Sequence, residues 1–571
     1  MIPERINTLR YFERQLLTML VSWRCTIPVL LLCSFALEVA QAGDSDPYFP
    51  KPSYFKSYLR HADTRLELQA PLHFEDYVVD SKLELSLKSY LDLVMANNPN
   101  VSIQRLSVIT FEDAVMRAFG NFDPLGTASF QSTRSLTQGT TALSGASTLD
   151  LLTQPFSLGW QQLLSSGATY NIGYFDTKSS TNSSFATINP TYNSSLNVSF
   201  SQPLLRGRGS FITKLPITIA RARLASARST VEDQVIQILV NAEQAYWAVV
   251  GAREGVRVAE ENYKLADTAL KRANRELELG ASSPLDIFQP QANFANAQLA
   301  RIQARYTLQQ MEDALRMQMG ADLDVKYRSM PIVATEPVTP PPDADLDRER
   351  MVLLAMEKRQ DLRAARQSLD VDDLNIKQAN DNLRPNLALN GQYSTSGVGG
   401  PAYQLQNAFG AGSQVVSVTP GGITDALSQM FGFGQPTYGF GLSLTLPIRN
   451  RAAAANLTDA AVGKKIDALR LRAIAQTVRL QVLNAITNLE NSRASVALAR
   501  SARDLAQKRV DAEQKKYELG IDQIFFVLAA QTDLTTAESQ LVNQTISYRL
   551  NQLALLRALG TLLEERRVTI Q

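Results

Sequence analysis

The chain has 571 residues, 20% of them charged, and a formal net charge of +2. That balance excludes a polyanion-binding protein, and no nucleic-acid partner is expected. Its two cysteines, Cys25 and Cys33, lie near the N-terminus, and its two histidines, His61 and His73, stand outside any metal-ligand spacing, so no metal or other cofactor is expected.

In chain order, the N-terminus reads as an export signal. Arg10, Arg14 and Arg24 precede the apolar run "TIPVLLLCSFAL", and "AQA" ends at Ala42 with small residues suited to cleavage. Cleavage there removes four basic and three acidic residues, leaving 2 − (4 − 3) = +1, and takes both cysteines away. A start at Met19 gives the shorter leader of 24 residues, and lipidation at Cys33 is disfavoured by the bulky Leu32 before it. The apolar core falls short of the roughly 20 residues a spanning helix needs, and no later segment supplies them.

The remainder is duplicated. At an offset of 240, Glu278-Leu279-Gly280 falls on Glu518-Leu519-Gly520 and Leu315 on Leu555. Earlier blocks pair "FDPLGTASFQSTRS" with "LRPNLALNGQYSTS", and "NVSFSQPLLRGRG" with "GLSLTLPIRNRAA". Each half reads helix, strand, loop, strand, long helix, glycine turn, return helix. The prolines of "PIVATEPVTPPPDADLD" (331–347) join the halves as an extended linker.

The long helices are expected over 213–279 and 452–519, each reaching roughly 100 Å at 1.5 Å per residue. Heptad recurrence of Ala252, Ala259, Ala266 and Ala273, and of Leu498, Leu505, Ala512 and Leu519, argues for coiled-coil packing. Shorter helices at 101–122 with 284–319, and at 361–382 with 524–559, nearly match one long helix when placed end to end.

The strands carry a membrane face. Tyr438, Phe440, Leu442, Leu444 and Leu446 alternate with Gly439, Gly441, Ser443 and Thr445, as Leu196, Val198 and Phe200 alternate with polar residues. This period of two fits a barrel wall with lipid on one side and water on the other. Two strands per half predict four per chain, too few to close a barrel, so the chain must oligomerise. The segments 134–193 and 396–437 are expected outside the membrane, with residues 154–178 forming an extracellular β extension.

These pieces resemble the TolC-like outer membrane factor family of Gram-negative export systems. The matching stretches are "LSLKSYLDLVMANNPNVSIQR", "SFSQPLLRGRG", "LRPNLALNGQYS", "FGLSLTLPIRNR", "YELG" and "LLRALGTLL", within residues 85–563. The resemblance implies a membrane β-barrel plus an all-α coiled-coil barrel, closed as a homotrimeric, twelve-stranded channel-tunnel in outer-membrane lipid. It also implies a passive duct that docks a periplasmic adaptor (membrane fusion) protein and an inner-membrane pump of RND, ABC or MFS type. The expected divisions are a signal peptide at 1–42, an N-terminal and equatorial segment at 43–100, and repeats at 101–320 and 361–560. A proline-rich equatorial linker at 321–360 separates the repeats, and a tail follows at 561–571.

Two helical tips are expected to carry the adaptor contact and the closable entrance. The first comprises Leu279, Gly280, Ala281, Ser282, Ser283, Pro284, Leu285 and Asp286; the second comprises Leu519, Gly520, Ile521, Asp522, Gln523 and Phe526. Glycine permits the reversal, and Ser282 and Ser283 can cap the next helix. Family members often place an aspartate six residues beyond each tip glycine; here Asp286 is kept, whereas Phe526 and Ala529 stand at second-half positions and Asp522 replaces a common arginine. The entrance is therefore expected to close partly through Ile524, Phe525 or Phe526, and Phe526→Ala should raise single-channel conductance. An unchanged closed state would contradict this.

The competing function is a non-conducting structural coiled-coil envelope protein or adhesin. An enzyme is not expected, because the carboxylates sit on charged helix faces without a nucleophile, histidine and acid set. Drug, metal and protein cargo all remain compatible with such a duct.

Overall fold

The computed structural model describes residues 73–140, 144–280, 283–336, 347–406 and 414–569, all within one compact unit, Ala70–Gln571. The expected signal peptide, residues 43–72 of the expected N-terminal segment, residues 337–346 of the proline-rich linker, Ala281 and Ser282 lie outside the described residues. Among the described residues no helix is long and apolar enough to cross a membrane.

Four helical columns stand side by side. The first stacks α2 (Pro99–Phe119) on α4 (Phe288–Gln318), and the second is α3 (Leu215–Glu278). The third stacks α6 (Gln360–Leu383) on α9 (Ile524–Leu559), and the fourth is α8 (Arg451–Glu518). With 64 and 68 residues, α3 and α8 extend about 96 and 102 Å at the helical rise. Packing runs from the first column through α3 and the third column to α8, leaving the first column and α8 as open edges.

The stacked columns are built from local signals. Pro99 occupies the first turn of α2, and the buried Asn98 caps it by accepting from the Asn100 N–H at 2.9 Å. The Asn98 amide also donates to the Gln318 carbonyl at 2.6 Å, joining the start of α2 to the end of α4. Gly320 and Gly560 end the return helices with φ of +70° and +75°. A Cβ on Gly320 would meet the Asn97 carbonyl oxygen at 2.8 Å, and one on Gly560 the Lys358 carbonyl oxygen at 3.1 Å. Both turns therefore need a left-handed residue without a side chain, at duplicated junctions.

The core lies around the middle of the columns. One cluster gathers Tyr90, Leu91, Val235, Leu239, Trp247 and Leu315, and a second gathers Val352, Val478, Val482, Ile486, Tyr548 and Leu559. A three-stranded sheet of β1 (Val78–Val79), β2 (Lys82–Leu85) and β8 (Ile332–Ala334) borders the first, so part of the expected extended linker is a strand. The C-terminal helix α10 (Leu562–Arg566) is pinned there by Arg566, whose guanidinium donates to both carboxylate oxygens of Glu243. Glu243 is 0% exposed and also accepts from the Trp247 indole at 3.2 Å. Arg566→Ala would leave that carboxylate buried without its cation, at a cost of about 3–5 kcal/mol. A clear fall in the thermal midpoint by circular dichroism is expected; an unchanged midpoint would contradict it.

The membrane sheet corrects the expected strand count. It contains β3 (Leu125–Phe130), β4 (Thr133–Gln138), β5 (Thr148–Leu163), β6 (Thr169–Thr181), β7 (Thr191–Pro203), β9 (Asn386–Gly399) and β12 (Pro436–Thr445), in the order β12-β9-β7-β6-β5-β3. Because β3 and β4 both pair with β5, the seven strands make six columns in one sheet, where two strands per half were expected. Residues 154–178, expected as a separate β extension, instead belong to β5 and β6, which lie between β3 and β7 in the same sheet. The physical reason is register. The outward row Phe156, Leu158, Trp160 lies opposite Asp176, Tyr174, Ile172, and Tyr174 and Ile172 lie opposite Leu196 and Val198. The second half keeps its two strands in the sheet; β10 (Ala402–Gln406) and β11 (Gln414–Thr419) pair beyond them, and α7 (Ile423–Phe431) packs on the face of β9 and β7, where the Thr395 hydroxyl donates to the Met430 carbonyl at 3.0 Å.

Candidate functional site: the two helical tips

At each tip a long helix ends and the chain reverses. Gly280 and Gly520 take φ of +71° and +73°, and their N–H groups donate to the Leu277 and Tyr517 carbonyls at 3.0 and 2.9 Å. At Gly520 the turn is completed by the Ile521 N–H, which donates to the Lys516 carbonyl at 2.9 Å. A Cβ at either glycine would meet open space, so the requirement is the backbone angle alone.

After the first reversal, the helix begins later than expected. Pro284 lies in a separate turn, and α4 starts only at Phe288. The cause is a local cap: Ser283 Oγ accepts from the Leu285 N–H at 3.3 Å, while Asp286 accepts from the Ser283 N–H at 3.1 Å. Asp286 thus holds its own turn. In the second tip α9 begins at Ile524, directly after Gln523, as expected. Asp522 faces Lys516 at 3.5 Å, and Lys516 also pairs with Glu513 at 2.8 Å. The Glu513 hydrogen bond and charge raise the lysine's pKa, and Lys516 in turn holds the Glu513 carboxyl below its usual range.

The structure brings the two tips together through residues that the tip motifs alone do not reveal. The Tyr517 hydroxyl donates to Glu276 at 2.7 Å. Arg272 lies over the Tyr517 ring at 4.6 Å and pairs with Glu276 at 3.0 Å. Burial, with the Glu276 hydrogen bond second, pushes Tyr517 up to about 12, so the phenol keeps its proton as a donor at neutral pH. The available signals were the Arg272/Glu276 spacing of four and the position of Tyr517 three residues before Gly520.

The tips also expose apolar groups. Leu285 is 74% exposed and Ile521 69%, and Leu279, Phe288 and Leu519 are exposed beside them. Phe525 and Phe526 pack edge to face on each other at 5.6 Å and remain exposed. Among the described residues, Ile524, Phe525 and Phe526 make no ring or polar contact with the first tip, whose link to the second runs through Tyr517. Among the described residues no group of acids, cysteines and histidines is arranged to hold a metal ion.

A duplicated set of four long helical columns leading into a sheet with one apolar and one polar face defines a channel-tunnel type of membrane protein. The chain belongs to the outer membrane efflux protein family, whose model matches residues 169–321 and 352–561, and it is an outer-membrane protein. It is 24% identical over 329 residues to outer membrane protein TolC of Escherichia coli K12, a match covering 57% of this chain and 62% of that protein. It is 21% identical over 378 residues to the probable efflux pump outer membrane protein TtgC of Pseudomonas putida KT2440, covering 65% and 70%. The Campylobacter jejuni CmeC outer membrane channel superposes with a TM-score of 0.58 at 15% identity, over 86% of this chain and 88% of that one.

Proposed function

We propose that three copies of this chain form the passive exit duct of a tripartite efflux or type I secretion system. The observation that carries this is the agreement of two layers about where the chain is incomplete. In the helical layer the open edges are α8 and the α2/α4 column; in the sheet they are β12, which leads into α8, and β3, which follows α2. Apolar side chains stand exposed on both helical edges: Leu480, Leu498 and Leu505 on α8, and Ile103, Leu106 and Leu299 on α2 and α4. Each copy therefore offers one face to the copy before it and the opposite face to the copy after it, which closes a ring.

In this reading the sheet sits in outer-membrane lipid, the helical ring crosses the periplasm, and the tips meet a periplasmic adaptor coupled to an RND, ABC or MFS pump. Energy comes from that pump; the duct carries no cofactor and performs no covalent chemistry. Exposed Leu285 and Ile521, at the far ends of the arms, give the adaptor an apolar footing, and the Arg272–Glu276–Tyr517 contact holds each copy's two tips together.

Photo-cross-linking from Leu285 and Ile521 in the native envelope tests the docking. The expected product joins the chain to a periplasmic adaptor. Cross-links confined to lipid or to extracellular partners would favour the non-conducting rod or adhesin instead.

A further inference from the structure

The hairpin β5–β6 spans the wall from end to end: Leu163 pairs with Thr169 at the helical end and Leu151 with Thr181 at the other. Its turn is short. The Leu164 N–H donates to the Ala168 carbonyl at 2.7 Å, and Gly167, at φ +91°, lies so close to the lead-in to α3 that a Cβ would approach the Gly207 carbonyl oxygen to 2.5 Å. Tight turns on the periplasmic side and longer loops outside are the pattern of membrane barrels.

Both faces of the hairpin continue those of its neighbours. Outward, Leu158, Tyr174 and Leu196 form one row and Trp160, Ile172 and Val198 the next, and Val198 continues into Tyr393 and Tyr438. Inward, polar side chains link across the sheet. Ser129 and Ser157 hydroxyls meet at 2.7 Å, Asn171 donates to Ser199 at 3.3 Å, Ser201 to Asn390 at 2.7 Å, and Asn390 to Ser443 at 2.9 Å. At the helical end, a largely polar inner face and an apolar outer face therefore run from β3 to β12, and farther out the outward face turns polar at Asp176, Ser194 and Thr395.

We propose that every copy supplies six columns to the membrane wall, and that β12 of one copy pairs with β3 of the next to close an eighteen-stranded barrel from three copies. This rests on the three-copy duct described above. Eighteen strands about 4.8 Å apart, tilted by about 40°, run roughly 110 Å around. Twelve helical columns packed at about 8–10 Å run roughly 100–120 Å, so the two rings match in girth. Barrel diameter grows roughly linearly with strand number, so the backbone cylinder is about 1.5 times as wide as twelve strands of equal tilt would make it. The membrane section is then no narrower than the helical duct, and the restriction falls to the tips.

The test uses single cysteines in a chain with Cys25 and Cys33 replaced by serine. Asn171→Cys and Ile172→Cys probe the two faces of β6, and Leu442→Cys marks the outward face of β12. In liposomes, a water-soluble maleimide should label Asn171→Cys at least about tenfold faster than Ile172→Cys or Leu442→Cys, because thiolate formation is suppressed in lipid. Rapid labelling of Ile172→Cys with Leu442→Cys protected would place the hairpin outside the wall and overturn the proposal while leaving the duct intact. Equal labelling of all three would remove the wall from lipid and overturn the duct itself. Ser157→Cys and Leu158→Cys repeat the comparison on β5 if the β6 variants fold poorly. Native mass in lipid should give three copies; any other number would overturn the count of eighteen.

Discussion

Replacing Leu498 and Leu505 by aspartate should leave the chain helical but unable to assemble. Both side chains lie on α8, at 72% and 64% exposure within the single chain. With Ser495 and Ala502 they follow the 3-4-3 spacing of a helix seam, on a flank separate from the buried row Val482, Leu489 and Val496. The small residues between the leucines permit close approach of a second helix, and among the described residues nothing else covers Leu498 or Leu505. Burying an unpaired carboxylate there would cost roughly 3–5 kcal/mol per site, and each about 1.4 kcal/mol is tenfold in association. The expected result is loss of the three-copy species from native mass spectra with far-ultraviolet circular dichroism retained. A three-copy species that survives both substitutions would show that α8 does not face a neighbouring copy.

The second large effect is expected at the entrance. Arg272→Ala combined with Tyr517→Phe removes the ring contact at 4.6 Å, the ion pair at 3.0 Å and the hydroxyl donor at 2.7 Å. Arg272 and Glu276 are partly exposed, so the pair contributes modestly, and the hydrogen bond to a carboxylate and the cation–ring contact contribute more. Together these are worth about 1–2 kcal/mol per copy, roughly a tenfold shift toward separated tips for each. Single-channel conductance of the double variant should rise above that of the unchanged protein. An identical conductance, with assembly unaffected, would mean that the closed state is held elsewhere, and Phe526→Ala would become the stronger candidate.

Helices and turns were legible in the sequence because their signals are local. Proline-free runs gave α3 and α8, and the glycines at an offset of 240 marked both reversals. The delayed start of α4 was hidden by Pro284, a good first-turn residue that the Ser283–Asp286 cap places in a separate turn. Membership of β5 and β6 in the main sheet was missed for a different reason. Their alternation is broken by Gln154 and Pro155 in β5 and by Asp176 and Lys178 on the outward row of β6, so each strand alone reads as a water-exposed piece. Only pairing with β7, where Ser194 donates to Asp176 at 2.6 Å, shows that they belong to the sheet. The tip contact was illegible because Glu276 and Tyr517 are 241 residues apart on different helices, and spacing carries no information across that distance.

That the chain is a duct, and not a rod, is tested most directly by ion current through the purified protein in planar bilayers. Stepwise current from the assembled three-copy form, larger in the Arg272→Ala/Tyr517→Phe variant, is the predicted result. Protein that inserts as a three-copy assembly yet carries no current in either form would contradict it.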